Sequence, residues 1–146
     1  MKHNNSYGAL LILALALIVG APMIQAQSKA RARANVSFDF NLDQKAMPAG
    51  TYEVSSLSEK VLAVRNLNSG ESRLVIEAMQ VEASPNAGTP HAKLVFRKYG
   101  DQYFLAEIWD GQHNRGIAFP ESKREHEIKL AGNNAPQPEL VVVAMK

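Results

Sequence analysis

The sequence predicts an all-β fold, a single small β-barrel or β-sandwich of about seven or eight antiparallel strands with one short surface helix over 123–131. Three observations carry this expectation. Apolar and polar residues alternate at period two in several short runs. Gly, Pro, Asn and Asp punctuate those runs as turn formers do. Lys93–Trp109 gathers five of the ten aromatic residues into what reads as one hairpin.

Ahead of the domain, Lys2 and His3 precede Leu10–Val19, an unbroken run of ten apolar residues. Ten residues rise ~15 Å as a helix, half the hydrocarbon core of a bilayer. That length suits the apolar segment of a signal peptide, so residues 1–26 are expected to be cleaved after Ala26, with Ala30 as the second choice. The competing reading is a buried helix or an uncleaved anchor. Residues 27–34 (Gln-Ser-Lys-Ala-Arg-Ala-Arg-Ala) read as a flexible basic leader. The expected location is the periplasm or the extracellular space. No transmembrane span is expected in the mature chain, and without cysteine there is no lipoprotein anchor.

The β-domain is expected over 35–146. Val36, Phe38 and Phe40 alternate with Ser37, Asp39 and Asn41 as one half-buried strand, followed by a turn over Leu42–Lys45. Pro48 presets φ for a β-turn and Gly50 supplies the positive φ of a type II turn, launching a strand from Thr51. Lys60–Leu67 and Arg73–Ala83 form a second hairpin through Asn68-Ser69-Gly70. Pro85–Pro90, bracketed by prolines that cannot donate to a ladder, is a loop.

In the aromatic hairpin, Gly100-Asp101 is a two-residue type II′ loop. That loop sets Phe96 opposite Leu105, Lys98 opposite Tyr103 and Val95 opposite Ala106. Leu94, Phe96, Tyr103, Leu105 and Trp109 then share one face, and Val95, Phe104, Ala106 and Ile108 the other. Both faces are apolar, so something must cover the second one. After Gly111–Gly116, Ile117–Phe119 is a short strand stopped by Pro120. Ser122-Lys123-Arg124-Glu125 matches a capping box, and Gly132 suits the left-handed position beyond the helix end. With Ile128 and Leu130 as its only strong apolar residues, the helix lies on the surface; the alternative is a charged strand. Leu140–Met145 is a final strand, expected to pair with Asn35–Phe40.

Without Lys2 the chain carries 15 basic and 14 acidic residues. That balance gives no electrostatic case for nucleic acid as a partner. The absence of cysteine excludes thiol catalysis, disulfide exchange and thiolate metal sites. His91, His113 and His126 lie 22 and 13 residues apart, wide of ordinary ligand spacings, so no metal site and no cofactor are expected. No Ser sits in a nucleophile motif, and no Gly-rich loop cradles phosphate. Asp101, Glu107 and Asp110 are the acids near the hairpin, with Glu107 within range of Arg97 or Lys93. Catalysis is therefore not expected, and no catalytic residue is assigned. The candidate binding residues are Trp109, Gln112, His113 and Arg115, an aromatic beside planar polar groups at the end of the hairpin. The competing reading places Trp109 in the core.

Phe38-Asp39-Phe40, Met47-Pro48-Ala49-Gly50-Thr51-Tyr52, the run Lys93–Leu105 and Pro120-Glu121-Ser122-Lys123-Arg124-Glu125 give the chain a further likeness. It resembles a family of small exported bacterial β-domain proteins, usually described as hypothetical, over nearly the whole mature chain. The resemblance implies export and no assigned activity. The leading expectation is thus an exported, non-catalytic protein that binds a ligand or an envelope partner. The alternatives are an exported hydrolase acting on polysaccharide and a carrier of a small apolar ligand inside a barrel.

Overall fold

Strand forms here wherever an alternating run finds a partner for its apolar face. The computed structural model describes residues 31–58, 61–76, 79–82, 91–111, 115–131 and 137–146. The expected signal peptide and its cleavage site, the Pro85–Pro90 loop and Gly132 lie outside them. Eleven strands are described, more than the seven or eight expected, because two long runs are divided and one short strand, Lys45–Met47, is added. They are β1 (Arg31–Val36), β2 (Phe40–Leu42), β3 (Lys45–Met47), β4 (Gly50–Ser58), β5 (Val61–Asn66) and β6 (Ser72–Ile76). There follow β7 (Met79–Glu82), β8 (Lys93–Tyr99), β9 (Gln102–Trp109), β10 (Arg115–Ala118) and β11 (Glu139–Ala144), with the helix α1 (Lys123–Ala131) between the last two.

One sheet runs β1-β4-β5-β6, and the other runs β11-β8-β9-β10-β7 with the β2–β3 hairpin attached to β9 at Asn41–Phe104. The all-β expectation with one short helix therefore holds. No ladder among the described residues closes the two sheets into one. Between them, Arg33 of β1 exchanges two backbone hydrogen bonds with Lys146, at 2.8 and 2.9 Å. Among the described residues no helix is long and apolar enough to cross a membrane.

Both sheets feed one core. Val36, Tyr52 and Val64 enter it from the first sheet, and Leu94, Phe96 and Leu105 from the second. Phe40 meets Tyr52 edge-on at 5.0 Å and Phe96 at 5.2 Å, so one ring on β2 bridges the two sheets. Burying each such side chain stabilises the fold by ~1.5–3 kcal/mol, and each edge-to-face pair adds ~0.5–1.5 kcal/mol. Asn66 is a polar residue buried beside Tyr52. Its Oδ1 accepts from the backbone N–H groups of Asn68 and Ser69, and its Nδ2 donates to the Tyr52 hydroxyl at 3.1 Å. The β5–β6 turn is thereby wired to the core.

Several expectations need correction. Strand begins at Arg31, inside the stretch 27–34 read as a leader. Ala32 and Ala34 point to the core, while Arg31 and Arg33 pair with Glu53 on β4. The run from Val36 to Phe40 is broken at Ser37–Asp39, where the Asp39 carboxylate accepts from the Ala49 backbone N–H. Gly50 has φ +157°, far from the value of about +80° a type II turn requires. Its glycine identity answers a close approach instead: a Cβ there would lie 2.9 Å from Asn68 Oδ1. Arg73–Ala83 is not one return strand, since β6 pairs β5 and β7 pairs β10. β11 pairs β8, and beyond it Lys146 hydrogen-bonds to Arg33 of β1.

The aromatic hairpin turns as expected. Gly100 alone of its two loop residues is left-handed, at φ +62°, and Lys98–Tyr103 and Phe96–Leu105 face each other. A bulge then intervenes between Val95 and Phe96, so Val95 faces Glu107 rather than Ala106 and Leu94 faces Ile108. Ile108 accordingly joins the core, and Trp109 passes to the opposite face beside Lys93.

The second face of the hairpin is covered in part by α1, through an ion pair. Glu125 is 1% exposed, and its carboxylate accepts from Arg97 Nε at 2.6 Å and from the Ser122 backbone N–H at 2.7 Å. The Glu125 backbone N–H donates to Ser122 Oγ at 3.2 Å, completing the capping box and fixing the helix start where the sequence placed it.

Candidate functional site

The ends of six strands converge at one end of the two sheets. Ala32 of β1 is small, as is Ser56 of β4, and neither fills the roughly 10 Å that separates packed sheets. The result is a cleft of about 500 Å3 between the sheets. Val54, Leu62, Ile108, Ile117 and Met145 supply its apolar wall. Ser56 and Gln80 add neutral polar groups, and Arg31, Asp110 and Arg115 add charge.

Two of the four candidate binding residues line this cleft. Trp109 ends β9 and Arg115 begins β10. Gln112 and His113, in the connection between them, lie outside the described residues. Trp109 is half-buried and takes no part in the core cluster. Its indole is held from three sides. Nε1 donates to Glu107 Oε2 at 2.7 Å, Lys93 Nζ stands 5.4 Å from the ring centroid, and Gly116 lies beneath it. A Cβ on Gly116 would come within 2.7 Å of the ring, so only glycine admits the indole in this pose. Because its N–H is already engaged, Trp109 offers a ligand the ring and not a donor.

Arg115 is exposed and its carbonyl accepts from the Asp110 backbone N–H at 3.3 Å, which draws the two strand ends together. Arg31 lies 3.8 Å from Glu53, whose carboxylate is held more closely by Arg33 at 3.1 Å. Of the three acids noted near the hairpin, Asp110 lines the cleft, Asp101 occupies the loop, and Glu107 holds the indole N–H. Arg97, considered as a partner for Glu107, binds Glu125 instead. Among the described residues no three His, Asp or Glu side chains gather where a metal ion would be held.

Sequence reasoning missed the inner wall of the cleft, because its residues come from strands far apart in the chain. It also missed a second cleft, of about 400 Å3, between β6 and the Phe104–Phe119 region. Exposed Leu74 and Ile76 flank that opening, and Asp43 and Arg73 pair across it at 3.2 Å. Alternation in β6 was legible, but not that its outward residues are also apolar with nothing described against them.

Compared with family models, with curated proteins and with solved structures, the chain matches none.

Proposed function

We propose that this is an exported, non-catalytic binding protein that holds a small ligand in the cleft between its sheets, at the Trp109–Arg115 end. The observation that carries the reading is the cleft itself. It is concave and mostly apolar, with a few polar groups converging at one end. Its volume falls within the ~300–1,000 Å3 of small-molecule sites. Export is supported by the ten-residue apolar run at Leu10–Val19 and the small residues that follow it.

Trp109 is the only tryptophan and lines the cleft, so its fluorescence is the readout for binding there. Titration with an apolar probe is expected to change that emission saturably. Ala32→Phe, which fills the cleft, is expected to abolish the change while the protein still unfolds cooperatively. No saturable change in the parent protein would overturn the reading. Terminal sequencing of the protein from fractionated cells tests export: a chain beginning at Gln27 outside the cytoplasm is expected, and an intact Met1 in the cytoplasm would refute it.

A further inference from the structure

Building on that reading, we infer that the ligand is a single-chain carboxylate amphiphile, its tail between the sheets and its carboxylate at Arg115. The inference follows from how charge is distributed over the cleft. Its inner wall consists of aliphatic side chains from both sheets, among them Val54 and Leu62 on one side and Ile108 and Ile117 on the other. Ser56 and Gln80 are its other polar side chains, and both are neutral. An ionised group placed against that wall would lose its hydration and gain no counter-charge. Any charge on the ligand must therefore sit at the strand ends.

The formal charges there are Arg31, Arg115 and Asp110, two positive and one negative. Arg31 already shares the Glu53 carboxylate with Arg33. Arg115, on the first residue of β10, is left as the group that meets a ligand head. A guanidinium binds a carboxylate through two parallel hydrogen bonds, a geometry that an alcohol cannot use fully and an ammonium cannot use at all. A cationic head would meet Arg115 as a like charge, with Asp110 as the acid at the same strand ends. Trp109, whose N–H is committed to Glu107, borders the cleft at the end of β9 and offers the head no competing donor.

The test uses three ligands with one tail and different heads: dodecanoate, dodecanol and dodecylamine, each below its aggregation limit, titrated against Trp109 fluorescence at neutral pH. Dodecanoate is expected to bind about tenfold more tightly than dodecanol, and dodecylamine more weakly than either. Arg115→Gln is expected to bring dodecanoate within about twofold of dodecanol, and Arg115→Lys to restore part of the difference. Ala32→Phe is expected to remove binding of all three. Equal affinity for the three heads, or an Arg115→Gln variant that keeps the full preference, would overturn the carboxylate assignment and leave cleft binding intact. No binding of any of them overturns the assignment, and cleft binding falls with it if the apolar probe also fails.

Discussion

The pair Arg97–Glu125 fastens α1 to the second sheet, and removing one partner should cost far more than removing both. Glu125 is 1% exposed and the Arg97 side chain 15%. The carboxylate takes two strong hydrogen bonds, from Arg97 Nε at 2.6 Å and the Ser122 N–H at 2.7 Å, and a weak one from Arg97 Nη2 at 3.4 Å. Once Glu125 is truncated, Arg97 keeps only the carbonyls of Phe119 and Pro120, at 3.3–3.5 Å, which are too distant to compensate a buried cation. Glu125→Ala should therefore lower stability by ~3–5 kcal/mol. At about 4 °C per kcal/mol for a domain of this size, that lowers Tm by about 12–20 °C. Arg97→Met alone should cost a similar amount, because it strands the carboxylate. Arg97→Met/Glu125→Ala together should cost much less than the sum of the two, since neither charge is then left buried. Urea denaturation of the four proteins, followed by circular dichroism, measures the cycle. A loss under about 1 kcal/mol for Glu125→Ala, or strict additivity of the two changes, would refute the account.

The two buried tyrosines should answer the same substitution in opposite ways. Tyr52→Phe removes the acceptor of the Asn66 amide and the donor to the Pro48 carbonyl, and should cost ~1–3 kcal/mol by thermal denaturation. Tyr99→Phe removes a buried hydroxyl with no hydrogen-bond partner among the described residues, so it should leave Tm unchanged or raise it. Burial raises both phenols above their ordinary value, partly offset at Tyr52 by the Asn66 hydrogen bond. The unfolded chain then loses these protons first. Their contribution to stability is complete below about pH 10 and is lost as pH rises through the folded values. Alkaline titration of Tm should show a shallower fall in Tyr99→Phe than in the parent. Gly116→Ala should displace the indole, break its bond to Glu107 and shift Trp109 emission to the red, at a cost of ~1–3 kcal/mol; unchanged emission would show that the ring does not rest on Gly116.

Much of the fold was legible because local signals and tertiary structure agree. The helix begins and ends where the capping box and its spacing placed it, since Ser122 and Glu125 satisfy the first turn whatever lies beneath. The Gly100-Asp101 loop likewise fixes the hairpin register for its first four pairs. What escaped was non-local. That Glu125 is buried depends on Arg97, 28 residues earlier, and a capping glutamate looks the same in sequence whether exposed or not. That Arg31–Ala34 is strand depends on Glu53 and on the approach of Lys146, and neither is visible in a short basic stretch.

The candidate site shows the same division and gives it a functional edge. Strict alternation from the loop would have put Trp109 on the core face with Leu94 and Phe96. The bulge beside Phe96 moves the register by one, so Ile108 fills the core in its place and the indole faces Lys93, Gly116 and Glu107. A β-bulge of this kind re-aims a side chain at modest cost to the ladder. Here it frees the largest aromatic of the hairpin from packing and sets it beside Arg115, at the one end where small residues keep the sheets from filling the space between them. Cleft and aromatic therefore depend on each other: had Trp109 stayed inside, its bulk would compete for the volume that Ala32 and Ser56 leave open.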